Sequence, residues 1–478
     1  MTNPGQSSEF PLLEQTLAHA RDYLASLADG PVAATASLPA LRARFAAALQ
    51  EGPVDPARVI DELVENTGDG LMRSTSGRFF AWVIGGSLPA ALAADWLTSV
   101  WDQNAAIHAC SPAEAVIEET CGAWLKDLLQ LPATASFALT TGSQMAHTVA
   151  LAAARHALLA RAGWDVEEDG LWGAPPVRVL TSDQHHGSLQ RALRVLGLGR
   201  RALVSLPADA QGRLAPATLQ FALDSAPGVP TIVVLQAGDL NTGAYDDFAT
   251  LVPMARARGA WVHVDGAFGL WAAASPRLRH LTAAAGTADS WVADGHKWLN
   301  VPYDCGYAFV ADPAAHFASM SHRESYLLQV DGARDALDWN PEWSRRGRSV
   351  ATYAALRQLG RQGVAGLLER TSALAGALVD GIGALDGAEV VWRSEVNQGL
   401  VRFPAPVAGA QAADHERHTD AVIAAVAAGG EAYFGGTTWR GQRCMRISVC
   451  NWRTTPDDVT RTVAAVRDAL ARVSEGGR

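Results

Sequence analysis

Residues 289–298 read Asp-Ser-Trp-Val-Ala-Asp-Gly-His-Lys-Trp, a short apolar run followed by a polar loop that carries Lys297. Upstream, residues 260–267 read Ala-Trp-Val-His-Val-Asp-Gly-Ala, a second apolar run that ends on Asp265. Both runs have the length of a strand, are rich in β-branched and aromatic residues, and are followed by glycine. They predict two buried strands, at residues 260–264 and 290–293, with an aspartate at the end of the first and a lysine just beyond the second.

Further runs of the same kind surround this pair, at residues 136–140, 177–181 and 231–235, with helical stretches between most of them. One of these stretches, residues 144–161, follows a glycine turn directly. Alternation of apolar strands with helices predicts an α/β fold with a mostly parallel sheet covered on both faces. Ligands of such sheets bind beyond the carboxyl ends of the strands, where Gly142, Asp265 and Lys297 fall.

The chain divides into three parts by pattern. Residues 1–90 contain amphipathic helical stretches, near 12–27 and 38–49, that would need a partner surface and are predicted to form a dimer. Residues 91–345 hold the alternating pattern of the large domain. Residues 346–478 begin with a long helical stretch at 352–385 and continue with strands and two helices, which predicts a small α+β domain.

Composition limits the possible partners. The 478 residues are 49% hydrophobic and 18% charged, with a net charge of −10, which is typical of a globular protein and argues against nucleic acid or an anionic membrane surface as partner. The five cysteines are scattered and include no CxxC pair, so we expect reduced thiols in a cytoplasmic protein and neither a disulfide framework nor a zinc site. The first residues do not resemble a signal peptide, and the apolar runs are too short to span a bilayer.

Lys297 and Asp265 together indicate pyridoxal 5'-phosphate (PLP) chemistry. A lysine amine can condense with the cofactor aldehyde, and a carboxylate can keep the pyridine nitrogen protonated so that the ring accepts electrons. Singly, each residue has an ordinary interpretation, a solvated surface lysine and an aspartate in a turn. The glycine turn before Ser143 opens a helix, whose N-terminus favours a phosphate, although such turns are common. His186, after another strand, could lie against the ring, cap a helix or bind metal; no partner with ligand spacing supports a metal.

The motifs Ser182-Asp183-Gln184-x-His186, Asp265-Gly266-Ala267 and His296-Lys297-Trp298 resemble the group II PLP-dependent amino-acid decarboxylases, from about residue 75 to 460. The resemblance implies a type I PLP fold, like that of aspartate aminotransferase, and a homodimer with active sites at the subunit interface. It also implies a set of roles: Lys297 as the Schiff-base lysine, Asp265 as the partner of the pyridine nitrogen, Ala267 and His186 on the two ring faces, and Ser143, Gln144 and His296 at the phosphate.

The chain departs from the family pattern at several positions. Asp294-Gly295 stands where relatives usually have Asn-Pro, and the phosphate loop lacks an acidic residue that many relatives carry. Asp239 stands where a threonine is common, and we expect its carboxylate to point away from the phosphate. Trp339 falls at or near the place of a loop tyrosine that helps to protonate the substrate Cα in typical decarboxylases. Tyr326 is the nearest phenol upstream, and the sequence leaves open whether it substitutes.

The leading hypothesis is therefore decarboxylation of an L-amino acid to an amine and CO2, with Lys297, His186 and Asp265 as catalytic residues. Trp339 raises the alternative of decarboxylation coupled to oxidative deamination, which yields an aldehyde. Another PLP-dependent lyase reaction and a catalytically silent binding protein are further alternatives. The residues predicted near the substrate are Phe79, Phe80, Trp82, Trp339 and Arg446. They suggest an aromatic or apolar substrate side chain, although core packing explains such aromatic residues equally well.

Overall fold

The computed structural model describes residues 9–322 and 330–476. Its N-terminal part is helical, as predicted, and proline in the first turn favours the start of several of these helices. Side chains of Ser37 and Asp55 cap the second and third helices by accepting backbone N–H groups. The helices before the first strand are α1 (Glu9–Ala25), α2 (Leu38–Phe45), α3 (Pro56–Thr67), α4 (Pro89–Trp101) and α5 (Pro112–Leu128).

A seven-stranded sheet forms the centre of the large domain, in the order β1-β7-β6-β5-β4-β2-β3. Its strands are β1 (Ser136–Thr140), β2 (Arg178–Ser182), β3 (Leu203–Leu206), β4 (Thr231–Gln236), β5 (Trp261–Asp265), β6 (Ser290–Asp294) and β7 (Gly306–Val310). Strands β2 to β6 are parallel, whereas β7 lies antiparallel between β1 and β6. The prediction of a mostly parallel sheet is confirmed. Because β5 and β6 are neighbours in register, with Asp265 opposite Val292, the aspartate lies beside the loop that follows β6.

Helices cover both faces of this sheet. They are α6 (Ser143–Arg161), α7 (Val166–Asp169), α8 (Gly187–Val195), α9 (Pro216–Asp224), α10 (Phe248–Arg256) and α11 (Pro313–Met320). Consecutive residues of β6 show the two faces: Trp291 packs into one hydrophobic cluster with Trp271 and Phe309, and Val292 packs into the other with Val149. A strand that is buried on both faces reads as a continuous apolar run, which is why its sequence was recognisable.

The C-terminal part is a small α+β unit, as predicted. Helix α12 (Arg348–Gly383) is kinked at Gly360, whose φ of +58° suits glycine. The elements that follow are β8 (Glu389–Arg393), β9 (Gln398–Arg402), α13 (Ala412–Gly429), β10 (Gly435–Trp439), β11 (Gln442–Ser448) and α14 (Pro456–Gly476). The strands form an antiparallel sheet in the order β10-β11-β9-β8. No helix within residues 9–322 and 330–476 is both long and apolar enough to cross a membrane.

Candidate active site

A cavity of about 410 Å³ lies at the carboxyl ends of β1, β4, β5 and β6. This is where a parallel sheet places its ligands, since the loops after the strands converge there. The predicted site residues that line it are Trp82, Ser143, Gln144, His186, Asp265, Ala267, His296 and Lys297. Residues that are far apart in the sequence therefore lie around one cavity, as was predicted from their positions after the carboxyl ends of the strands.

Lys297 is held at the cavity by Asp294, the last residue of β6. The Nζ atom of Lys297 lies 3.0 Å from Oδ2 of Asp294, and Oδ1 of Asp294 accepts the backbone N–H of Ser143 at 2.6 Å. Asp294 thus links the lysine to the N-terminus of α6. The loop is also packed closely from behind, because a Cβ atom at Gly85 would overlap the carbonyl oxygen of Lys297. Only glycine fits at position 85 without moving the lysine loop.

Asp265 presents a charged carboxylate to the cavity. Its Oδ1 atom accepts the backbone N–H of Ala267 at 3.3 Å, and its Oδ2 atom lies 3.4 Å from Nε2 of His147. Burial raises the pKa of the Asp265 carboxyl, but the interaction with His147, together with Lys297 and His186, outweighs burial and holds that pKa well below its usual range. The carboxylate therefore stays ionised, as a partner for a protonated ring nitrogen must.

Both cavity histidines have one ring nitrogen engaged by the protein. Nδ1 of His186 accepts the backbone N–H of Ser188 at 3.2 Å, so this side chain caps α8. Nδ1 of His296 accepts the backbone N–H of Cys305 at 3.1 Å. Burial lowers the pKa of each imidazole. Each histidine is accordingly neutral, with its proton on Nε2 and available to a ligand.

The residues present fit PLP. Ser143 Oγ is buried and has no hydrogen-bond partner among the described residues, and it lies in the first turn of the 19-residue helix α6. A buried hydroxyl without a partner at a helix N-terminus suits a phosphate group. The amine of Lys297, the carboxylate of Asp265 and the small side chain of Ala267 line the same cavity, and these are the groups that the aldehyde and the ring of the cofactor require.

Several predicted substrate residues do not line the cavity. Phe79 and Phe80 are buried, one stacked on Tyr433 and the other on Phe434, so they are core residues and the prediction that they face the substrate is corrected. In the sequence, an apolar aromatic residue is equally compatible with a place in the core and with a place at the substrate, so the residue type alone could not distinguish them. Arg446 is buried and is not among the residues that line the cavity, and its Nη2 has no hydrogen-bond partner among the described residues. Burial is the largest cause of the lowered pKa of His186, and the charge of Arg446 contributes less to it.

Trp339 lies away from the cavity of its own chain. Its ring packs edge-on against His316 and Phe317 of α11, and the Arg334 guanidinium lies 5.1 Å from its centroid. The interpretation of Trp339 as a residue facing the substrate is therefore not supported within one chain. Tyr326, the other candidate, falls outside the described residues.

Asp239 points away, as expected. Its carboxylate accepts the backbone N–H groups of Asn241 and Thr242 and so closes its own turn. The site also contains residues that the sequence motifs did not predict. Asp294, Met145, Leu240 and Phe268 line the cavity, and His147 lies behind it, one helical turn after Ser143. That four-residue spacing on α6 was the available signal for His147.

Comparisons with known proteins agree with this geometry. Residues 39–405, most of the chain, match the pyridoxal-dependent decarboxylase conserved domain. An L-2,4-diaminobutyrate decarboxylase of Rhizobium meliloti is 29% identical over 390 residues, covering 79% of this chain and 74% of the relative. An aromatic-L-amino-acid decarboxylase of Bacillus atrophaeus is 25% identical over 463 residues, covering 95% and 93%.

The solved structure of Oryza sativa TDC with PLP and tryptamine superposes with a TM-score of 0.92 at 24% identity, covering 99% of both chains. At 24% identity this superposition shows the fold alone, which is that of PLP-dependent decarboxylases. The family match, which covers most of the chain, extends the conclusion from fold to chemistry. The chain belongs to the pyridoxal-dependent decarboxylase family and is a PLP-dependent carboxy-lyase that acts on an L-amino acid.

Proposed function

We propose that this enzyme decarboxylates an L-amino acid with an aromatic side chain. The observation that carries the proposal is the set of apolar side chains among the cavity lining, Trp82, Val83, Met145, Leu240 and Phe268. Such side chains favour an apolar or aromatic group and offer nothing to pair with a charged one.

The charges at the cavity argue against a substrate with a charged side chain. Among the described lining residues, the carboxylates are Asp265 and Asp294. Asp265 interacts with His147, and Asp294 with Lys297, so neither is left for a second ammonium group such as that of diaminobutyrate. An acidic side chain would need a cation, but Arg446 does not line the cavity.

The roles of the site residues follow from their positions. Lys297 would hold the cofactor through its amine, and Asp265 would balance the charge of the ring nitrogen. Ser143, Gln144 and the Nε2–H of His296 would bind the phosphate, and Ala267 and His186 would enclose the ring. PLP, when bound, supplies the electron sink for the bonding pair that CO2 leaves behind on Cα.

Protonation of Cα requires an acid close to the substrate. Lys297 and His186 are cavity residues whose side chains can transfer a proton, and we propose them as candidates for this acid. The aldehyde-forming alternative rested on Trp339, whose ring packs against α11 instead. No contact of the described residues therefore favours the aldehyde over the amine.

The enzyme is further proposed to act as a homodimer. None of the residues of α1, α2 and α3 is buried in the single chain, and Leu13, Leu17 and Leu63 are exposed. Trp82 lines the cavity yet is 54% exposed, so the cavity mouth is open on that side. A second subunit that covers these apolar surfaces would also close the active site.

A substrate panel tests the reaction and the side-chain class together. Purified enzyme with PLP is assayed with L-tryptophan, L-tyrosine, L-phenylalanine, L-glutamate and L-2,4-diaminobutyrate, while CO2, amine, aldehyde and ammonia are measured. We expect CO2 and amine in equal amounts, with the highest kcat/KM for an aromatic substrate. A higher kcat/KM for glutamate or diaminobutyrate would refute the proposed aromatic side chain. Formation of aldehyde and ammonia in amounts equal to CO2 would refute the amine as the product.

Two variants connect this activity to the site. Lys297→Ala should abolish turnover and the cofactor label that borohydride leaves on the protein, because no other lysine lines the cavity among the described residues. Trp82→Ala should raise KM for aromatic substrates, whereas Trp172→Ala, a change at a 95% exposed tryptophan away from the cavity, should leave KM unchanged.

A further inference from the structure

A chain of polar side chains runs from Asp265 into the protein behind the cavity. Nε2 of His147 lies 3.4 Å from Oδ2 of Asp265, and Nδ1 of His147 lies 2.9 Å from Nε2 of His263. Nδ1 of His263 lies 2.8 Å from Oγ of Ser290, and the indole N–H of Trp261 donates to the same oxygen at 2.9 Å. All four side chains behind Asp265 are buried.

Trp261 sets the direction of the protons along this chain. Because an indole N–H can only donate, Ser290 accepts from Trp261 and directs its own proton to Nδ1 of His263. His263 then carries its proton on Nε2 and donates it to Nδ1 of His147. The proton of His147 is left on Nε2, the ring nitrogen that lies 3.4 Å from Oδ2 of Asp265. In the reverse direction the hydroxyl proton of Ser290 would have no acceptor among the described residues, which buried groups rarely tolerate.

We propose that His147 is a positioning residue that keeps Asp265 ionised and aimed at the ring nitrogen of the cofactor. This inference rests on the proposed role of Asp265. His147 lies beside Oδ2, whereas Oδ1 accepts the backbone N–H of Ala267, a residue that lines the cavity. His263, Ser290 and Trp261 support His147 by fixing its tautomer.

The position of His147 distinguishes it from the other groups that act on Asp265. Lys297 and His186 also favour the ionised carboxylate, but both line the cavity, where substrate enters. His147 lies behind the carboxylate and is fully buried, so no ligand can displace it. Burial keeps His263 neutral, with its pKa lowered to about 3, so the donor that orients His147 does not change over the working pH range.

The test measures the protonation state of the cofactor directly. Holoenzyme is prepared with PLP labelled with ¹⁵N in the ring, and the ¹⁵N chemical shift reports whether the ring nitrogen carries a proton. We expect a protonated nitrogen in the wild type and a shift toward the unprotonated form in His147→Leu. The same variant should lose roughly tenfold or more in kcat, the usual effect of removing an outer partner of a charged site, with a smaller change in KM.

His147→Gln should restore much of the signal, because its amide N–H can replace Nε2–H. His316→Leu is the matched control: His316 is likewise fully buried and hydrogen-bonded through its ring, but its partners are Ser136 at 2.8 Å and the carbonyl oxygen of Trp339, outside the chain that leads to Asp265. It should leave the ¹⁵N shift unchanged. If His147→Leu yields no folded protein, Ser290→Ala takes its place and should move the shift in the same direction.

The outcomes separate the inference from the assignment on which it rests. Asp265→Asn should also deprotonate the ring nitrogen. If Asp265→Asn moves the ¹⁵N shift while His147→Leu and Ser290→Ala do not, then Asp265 is the ring partner and the role of His147 is refuted. If Asp265→Asn itself leaves the shift unchanged, the role of Asp265 is refuted, and the inference about His147 with it.

Discussion

At the residue scale, the site depends on charges that are held in fixed positions by buried neighbours. Asp294 is an example, because it stands where relatives of this family usually carry an amide. Its carboxylate binds Nζ of Lys297 and the backbone N–H of Ser143, so it joins the lysine loop to the N-terminus of α6. One acidic side chain thereby aligns two parts of the cofactor site.

The charge of Asp265 can be removed without changing its shape. We expect Asp265→Asn to retain the cofactor with lower affinity and to lose turnover by about 10²-fold or more, since stabilisation of charge in the reaction depends on the carboxylate. Absorbance titration with PLP measures the binding, and the substrate assay measures kcat. Near-normal kcat in Asp265→Asn would contradict the proposed electronic role.

At the scale of elements, a buried ion-pair cluster joins α5 to the segment before α12. Oε2 of Glu118 lies 2.7 Å from Nη1 of Arg345, and Oε1 lies 3.1 Å from Nη1 of Arg334. Arg345 also donates to the carbonyl oxygen of Leu139 in β1 at 2.9 Å. The cluster therefore fixes β1, which leads into the phosphate loop.

Removing one partner of this cluster should be costly. Glu118→Gln keeps the shape but leaves the buried guanidinium of Arg345 and the partly buried one of Arg334 without this counter-charge, which we expect to lower the free energy of unfolding by about 3–5 kcal/mol. Glu62→Gln is the control, because Glu62 pairs with Arg58 at the surface at 2.6 Å, and such pairs contribute about 0–1 kcal/mol. Urea denaturation compares the two, and equal midpoints would show that the buried cluster is not stabilising.

At the scale of the whole molecule, the exposed apolar face of the N-terminal helices predicts self-association. We expect the wild type to sediment as a dimer and the double variant Leu13→Asp/Leu63→Asp to sediment as a monomer with little activity, because a charge on each helix opposes burial of that face. Phe221→Asp changes an exposed apolar residue of α9 and should remain dimeric. An active wild-type monomer at assay concentration would exclude the shared site.

Acid stability should reflect the buried histidines. Burial lowers the pKa of His316 to about 3, whereas an unfolded histidine titrates near 6.5. Below pH 6.5 the unfolded chain therefore binds the additional proton, so this histidine makes the fold less stable as the pH falls toward 3. The stability advantage of wild type over His316→Leu should shrink from pH 7 to pH 5, by up to about 1.4 kcal/mol per pH unit. A difference that does not change with pH would contradict this.

The sequence was sufficient for the features that depend on local pattern. Strands β5 and β6 are apolar on both faces and end at a turn, so their ends and the residues beyond them, Asp265 and Lys297, could be placed at one edge of the sheet. The strands predicted at 260–264 and 290–293 each extend one residue further in the structure, and the first of them begins one residue later. The resemblance of the motifs to a known family then predicted the cofactor and the reaction.

Only the tertiary structure decided which side chains meet. Strand β7 lies antiparallel between β6, which precedes it in the chain, and β1, the first strand of the domain. Nothing in the residues of β7 specifies these two neighbours. Phe79 lies in the core whereas Trp82 lines the cavity, because burial depends on what packs above each ring. His147 and His263 are 116 residues apart and form one hydrogen bond. Periodicity is a property of neighbours along the chain, whereas these contacts arise from packing between distant segments, so the fold had to be known before they could be seen.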